Sequence, residues 1–233
     1  MSALPLSLVV FAMNEAMNVP TVLPEMLRWL RARGAPYELL FVDDGSTDDT
    51  RAKALEVLDG DPHGRVLTHD RNRGIGAALK TGVRAATLPW VTFLPCDGQI
   101  PVTELEHLLA AAERDERPVV FSVYRDRDDG LHRKVLSFGV RALIFAVHLV
   151  KLRSDGPYLF RRELFDPSLL VPDTFFLNFE FPIRTLRAGI PASTVTIECV
   201  PRRAGVSKST GLKRIVGVAR DLVGLRLRLW QGR

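Results

Sequence analysis

The sequence predicts an α/β protein whose mainly parallel sheet is flanked by helices, and three observations carry the prediction. Apolar runs of strand length alternate with segments of helical period through the first half of the chain, as βαβ units require. Several of those runs stop in acids, glycine or proline, as in "FVDDGS" and "FLPCDGQIP", and such strand ends are where parallel sheets gather polar groups. The chain's 233 residues, 46% apolar and 25% charged, suffice for one substantial α/β domain with extensions.

Taken in order, "LSLVVFAM" reads as the first strand, followed by an amphipathic helix over about Val19 to Arg33. "YELLFVDDG" is the second strand, residues 48 to 58 read as helix, and "GRVLTHD" is a short third strand. "GIGAALKTGVRAA" is a small-residue helix whose glycines signal close packing, and "PWVTFLPCDG" is the central strand. A helix over about Val102 to Arg114 and the strand "RPVVFSVYR" follow.

From about Arg125 the character changes. Arg125, Arg127, Arg133 and Lys134 precede an apolar helix over 135–150, then come "PYLFRRELF", a helix around "NFEFPIRTLRAG" and the strand "TVTIECVPRRAGVSK". In the last segment, 212 to 230, Ile215, Val218, Leu222, Leu225 and Leu229 alternate at spacings of three and four among basic residues, which makes a positively charged amphipathic helix.

Net charge is +5 with a pI near 9.5, so anionic partners are expected: nucleic acid, phosphate esters or a membrane surface. Nucleic acid is disfavoured, because the basic residues lack aromatic interleaving and sit beside acidic strand ends. Cys96 and Cys199 lie far apart with no metal-like spacing, which suggests neither a disulfide framework nor zinc and fits a reduced cytoplasmic setting. The apolar run Leu4 to Met13 has no basic residue before it and Glu15 soon after, so it reads as a strand, not a signal peptide. The longest apolar run, between Lys134 and Lys151, contains Arg141 and His148 and falls short of the roughly 20 residues a spanning helix needs.

The strand ends carry the chemistry. In "FVDDGSTDDT", Asp43 and Asp44 can accept from ring N–H or ribose hydroxyl groups of a nucleotide, and Gly45 lets the backbone turn away. Taken alone, the same stretch also reads as Ser46 or Thr47 capping a helix that starts near Asp48. "FAMNEAMN" brings Asn14 and Glu15 to the same sheet edge. "CDGQIP" adds Asp97 and Gln99, and a doubly wound sheet collects such ends in one crevice.

Together, "VVFAMNEAMN", "FVDDGSTDDT", "NRGIGAALKTG", "FLPCDGQIP", "PYLFRRELF" and "PRRAGVSK", in this order from residue 8 to about 208, resemble a family 2 glycosyltransferase of the GT-A fold. Within it they are similar to the dolichol-phosphate mannose synthase-like branch of polyprenyl-phosphate transferases. The resemblance implies inverting transfer of a hexose, mannose from GDP-mannose, to a polyprenyl or dolichyl phosphate by an enzyme peripheral to the cytoplasmic membrane face. It implies a donor site of Asn14, Glu15, Asp43, Asp44, Lys80, Ser207 and Lys208, with Arg202 over the diphosphate. Asp97 and Gln99 would hold Mg²⁺ or Mn²⁺, and Arg125, Arg133 and Ser137 the acceptor phosphate. Asp97, Arg133, Arg202 and Glu180 are the expected catalytic set, Glu180 either as a base for a hydroxyl acceptor or as a carboxylate orienting Arg202 or another arginine.

Two departures qualify the match. Pro95 stands where the family's Asp-x-Asp motif has its first Asp, so metal dependence is expected to be reduced but retained, the ion sharing donor phosphates and water. In "SDGPYLFRR", Pro157 replaces an aromatic residue and Asp155 directly precedes Gly156, which reshapes the acceptor cavity. The alternatives are a UDP-glucose or UDP-N-acetylglucosamine enzyme, a hydroxyl acceptor, or a catalytically silent nucleotide-sugar-binding protein.

The predicted organisation is one GT-A domain over 1–211, a nucleotide-sugar half to about 124 and an acceptor half over 125–211, followed by the helix 212–233. An anionic membrane surface is expected to meet two helices. In 135–150, Lys134, Arg141 and His148 recur on one side and leave Phe138, Leu143, Phe145 and Leu149 for the other. The C-terminal helix has its Ile/Val/Leu stripe and Trp230. The alternative for both stripes is packing on the domain core.

Overall fold

Leu6–Ala12 (β1) is apolar at nearly every position, as a strand buried on both faces must be. Leu8 and Val10 point into one core with helix α1 (Val19–Ala32), while Val9 points into the other. The computed structural model describes residues 3–125, 130–171, 173–202 and 212–231. The remaining strands are β2 (Tyr37–Asp43), β3 (Gly64–Thr68), β4 (Trp90–Pro95), β5 (Val119–Tyr124), β6 (Leu159–Arg161) and β7 (Ala192–Ile197). The helices after α1 are α2 (Thr50–Leu58), α3 (Ile75–Ala85), α4 (Leu105–Asp115), α5 (Gly130–His148), α6 (Leu177–Arg187) and α7 (Leu212–Trp230).

The strands form one seven-stranded sheet in the order β3-β2-β1-β4-β6-β5-β7. Every pairing is parallel except those of β6, which runs antiparallel to both β4 and β5. The chain leaves β1 towards β2 and β3 on one side and returns to place β4 on the other. That reversal opens a crevice beyond the C-terminal ends of β1 and β4, the position where open α/β sheets bind ligands.

Helices α1, α2 and α4 cover one face of the sheet, α3 and α6 the other. The glycines of α3 are there for proximity: a Cβ on Gly82 would lie 2.3 Å from Val9 Cγ1. A third cluster, Ile144, Leu152, Phe176, Ile183, Leu222 and Leu225, binds α5 and α7 onto α6.

Four expectations change. Helix α2 begins at Thr50, because Asp48 turns back to accept from the Thr50 N–H at 3.0 Å and its hydroxyl at 2.5 Å. Strand β7 ends at Ile197, since Glu198 N–H donates to Glu104 Oε2 and Val200 N–H to the Gln99 carbonyl, pulling the chain off the sheet. The predicted stripe of α7 faces inward: Leu222 and Leu225 are fully buried, so the core reading holds there. On α5, His148 is likewise buried against α7, its Nε2–H donating to the Leu222 carbonyl at 3.1 Å, instead of lining a wet basic face. The side chains of Ile215, Val218 and Phe138 lie outside the described residues.

Candidate active site

Ala12 pairs with Asp43, and Phe11 pairs with Pro95, so the loops leaving β1, β2 and β4 start side by side. The polar run after β2 stitches two of them together. Asn14 sits at φ 53, a left-handed conformation that Asn tolerates, and its Oδ1 accepts from Thr47 N–H at 2.8 Å. Asn14 N–H donates to Ser46 Oγ at 2.9 Å and Glu15 N–H to Thr50 Oγ1 at 2.7 Å. Asn14 and the hydroxyls of "GSTDDT" therefore build the loop that presents Glu15.

Gly45 brings in the loop after β3. At φ 70 its missing side chain lets the Arg71 backbone approach, and a Cβ would lie 2.2 Å from Arg71 C. Asp44 closes the same junction, with Oδ1 taking the Arg73 N–H and Oδ2 the Gly74 N–H, each at 2.9 Å, and His69 Nδ1 2.7 Å away. Expected among the nucleotide ligands, Asp44 spends both oxygens inside the protein and organises the rim. Asp43 is buried beside it, with Ser46 N–H on Oδ1 at 3.2 Å. His69, whose Nε2 is 2.9 Å from Thr81 Oγ1, was not among the expected residues; the acid-flanked "THD" at a strand end was its only signal.

Arg202 reaches the crevice from the far end of the chain. The Val200–Gln99 backbone bond, 2.8 Å, moors its segment to the loop after β4. Its Nη2 donates to Glu15 Oε1, and its Nη1 lies 4.0 Å from Asp97 Oδ2. Glu15 Oε2 takes Asn18 Nδ2 at 2.6 Å, and Asp97 Oδ1 takes the Gln99 N–H at 3.0 Å. Burial pushes the Asp97 carboxyl above the usual carboxylate range, with the Glu15 charge adding to it and Gln99 N–H and Arg202 opposing. Burial also raises the neighbouring Cys96 thiol, which removes it as a nucleophile.

For a divalent ion this set is sparse. Among the described residues no three His, Cys, Asp or Glu side chains cluster to hold a metal. Asp97 Oδ2 and the Gln99 amide fit an ion that brings its remaining ligands with it, as Mg²⁺ does with phosphates and water.

Among the described residues, Glu180, Lys80 and Arg125 have partners outside the Glu15–Asp97–Arg202 contact. Glu180 is fully buried and pairs with Arg184 at 3.0 Å and with Arg228 of α7 at 3.4 Å. Of the partners expected for it, Glu180 is paired with these two arginines and not with Arg202. Lys80, expected at the donor, is buried and donates to Asp173 Oδ1 at 3.0 Å and Val171 O at 3.1 Å. Asp173 O in turn accepts from Gly76 and Ala77 N–H at the start of α3, the close approach that the glycines of "GIGAA" permit. Arg125 is exposed, 3.4 Å from Glu198. Arg133 and Ser137 lie on the first turns of α5, with their side chains outside the described residues, and Ser207 and Lys208 are outside them altogether.

A mainly parallel sheet with one antiparallel strand and a carboxylate-lined crevice at the β1/β4 reversal defines the GT-A class of fold. The family model described as Glycosyl transferase family 2 matches residues 7–181, and the chain belongs to that family. Among curated relatives, it is 32% identical over 170 residues to an undecaprenyl-phosphate 4-deoxy-4-formamido-L-arabinose transferase of Proteus mirabilis, covering 70% of this chain and 51% of that one. It is 29% identical to a dolichyl-phosphate beta-glucosyltransferase of Trichomonas vaginalis, covering 68% and 53%. With a dodecaprenyl-phosphate galacturonate synthase of Rhizobium johnstonii it shares 28% identity, covering 96% and 67%. The chain thus spans about half the length of the first two. Among solved structures, glucosyl-3-phosphoglycerate synthase from Mycobacterium tuberculosis, in complex with Mn²⁺, UDP-glucose and phosphoglyceric acid, superposes with a TM-score of 0.72 at 21% identity. That match covers 96% of this chain and 79% of the other, and it establishes the shared fold.

Proposed function

We propose that this chain transfers a sugar from a nucleoside diphosphate donor to a polyprenyl phosphate at a membrane surface. The observation that carries the reading is the meeting of Glu15, Asp97 and Arg202 at the β1/β4 reversal of a family 2 chain, with Asp43 at the neighbouring strand end. In this scheme Glu15 and Asp43 face the nucleotide end of the donor and Arg202 its diphosphate. A Mg²⁺ or Mn²⁺ ion held by Asp97 and Gln99 would neutralise charge on the leaving diphosphate.

The buried commitment of Glu180 supports a phosphate acceptor over a hydroxyl one. A hydroxyl needs a base to take its proton, whereas a phosphomonoester, with a second pKa of about 6, is already anionic at neutral pH. Its oxygen forms the new bond to the anomeric carbon as the bond to the donor diphosphate breaks, the nucleoside diphosphate leaving with the electron pair and the configuration inverting. The protein's part is to position two anions and hold cations between them. Arg125, Arg133 and Ser137 remain the proposed acceptor-phosphate residues, with Ser207 and Lys208 beside Arg202 at the donor.

The names of the relatives above carry formamido-arabinose, glucose and galacturonate, none of them mannose, which supports ranking another sugar ahead of the expected mannose.

Membrane contact on α5 stays with part of the predicted face, and on α7 it moves from the buried stripe to the exposed side that ends in Trp230. No helix among the described residues is long and apolar enough to cross a membrane. Phe145 and Leu149 on α5, and Val223, Leu227 and Trp230 on α7, are exposed at helical spacing with Arg220 beside them, the pattern of an interfacial helix.

A thermal-shift panel of UDP- and GDP-sugars with and without Mn²⁺, followed by transfer to undecaprenyl phosphate, tests the reading. A donor at 100 times its Kd adds about 2.7 kcal/mol of stability. Stabilisation by no nucleotide sugar would sink it, and binding without turnover on any phosphate lipid would favour the silent nucleotide-sugar-binding protein.

A further inference from the structure

Pro95 removes one carboxylate from the crevice, and Arg202 adds a cation to what remains. Glu15 and Asp97, presented by the β1 and β4 loops, converge on the same guanidinium. All three side chains are largely withdrawn from water, at 16% exposure for Arg202, 11% for Glu15 and 14% for Asp97, so their charges interact far more strongly than surface pairs. The arginine's backbone is moored beside Asp97 through Val200 and Gln99, so the contact is set by the fold and not by a long free arm.

We infer that Arg202 is the resident cation of the donor-free crevice, excluding a free divalent ion from Glu15 and Asp97 and admitting it only together with the donor diphosphate. The inference rests on the proposed donor reading, because the diphosphate is what draws the guanidinium off the carboxylates.

Formal charge explains the exclusion. The three contacting side chains, two carboxylates and one guanidinium, carry a net charge of minus one. A divalent ion arriving alone would invert that sign while facing a fixed positive neighbour. A divalent ion arriving on a diphosphate enters as a nearly neutral pair and changes the total little. The diphosphate also offers the guanidinium planar, two-pronged acceptors at least as good as Glu15, so Arg202 can exchange partners without being left unpaired in a desolvated site. Metal and nucleotide then bind with positive coupling, and that coupling is reciprocal.

The test is Mn²⁺ titration followed by loss of the free-ion EPR signal, on the full chain, with and without UDP or GDP. The proteins are wild type, Arg202→Gln, Arg202→Lys and the Arg202→Gln/Asp97→Asn double variant, each checked for fold by circular dichroism. Wild type is expected to bind Mn²⁺ at least tenfold more weakly without nucleotide than with it. Arg202→Gln should tighten nucleotide-free Mn²⁺ at least tenfold, about 1.4 kcal/mol, Arg202→Lys should keep the wild-type exclusion, and the double variant should lose the gain. Unchanged nucleotide-free affinity in Arg202→Gln, a gain that survives the loss of Asp97, or tight binding in Arg202→Lys would each overturn the inference. Should Arg202→Gln fail to fold, wild type alone decides: equal Mn²⁺ affinity with and without nucleotide rejects the exclusion. If neither nucleotide binds, the proposed function fails, while the nucleotide-free comparison of wild type with Arg202→Gln still judges Arg202.

Discussion

Arg228 on α7 lies 3.4 Å from Glu180 on α6, and Glu180 has no exposed surface. This pair, with Arg184 completing it, fastens the last helix to the domain. Removing the carboxylate strands two partly buried guanidinium groups, a loss of about 3 kcal/mol for a buried pair broken on one side. Glu180→Gln is therefore expected to lower Tm strongly. A catalytic base would behave oppositely, with kcat collapsing at unchanged Tm, and calorimetry beside a transfer assay separates the two.

The two faces of α7 make a second contrast. Leu225 is fully buried, so Leu225→Ala should cost about 2–5 kcal/mol. Trp230 is 85% exposed, so Trp230→Ser should change stability by less than about 0.5 kcal/mol yet reduce co-sedimentation with anionic liposomes. Equal liposome binding by Trp230→Ser and wild type would remove this helix from the membrane assignment. Truncation after Gly211 should destabilise the domain as well, since it empties the cluster around Leu222 and Leu225.

Gly45→Ala tests the three-loop junction. The substitution combines a left-handed backbone with a Cβ 2.2 Å from the Arg71 main chain, which has no flexible side chain to give way. A loss of about 3 kcal/mol or more is expected, with donor binding weakened in whatever fraction stays folded. A variant with wild-type Tm would mean the β2 and β3 loops do not meet there.

Asp97 gives a pH-dependent prediction. Burial, its largest influence, raises its folded-state pKa above the ordinary value of 3.8. For a raised carboxyl, the stability contribution is fully present below the unfolded pKa and is lost as pH rises through the folded one. At pH 7 wild type therefore bears the cost of an ionised, desolvated Asp97. Asp97→Asn should raise Tm near neutrality while abolishing transfer, and the difference in Tm should shrink as pH falls towards about 4. A variant less stable than wild type at pH 7 would show that the attraction of Arg202 outweighs desolvation.

Much of this protein was fixed by local sequence. Burial on both faces made β1, β2 and β4 legible from their continuous apolar runs, and "NEAMN", "DDGS" and "CDGQ" marked their ends, because turn chemistry is a property of neighbouring residues. The small-residue pattern of α3 likewise announced close packing. Family resemblance added Arg202 to the site from 105 positions beyond Asp97.

Tertiary structure decided how those groups spend their bonds. Asp43 and Asp44 are adjacent and chemically identical, yet Asp44 is consumed by His69 and two backbone N–H groups because the β3–α3 loop folds onto it. Glu180 reads as a candidate base until Arg228, 48 residues later, covers it. The stripe of α7 reads equally as core or membrane face, since helical period reports that one side is apolar but not what it meets. Partner choice among buried charges and apolar faces depends on which distant segments the sheet order brings together, and that information is carried by no single stretch of the chain.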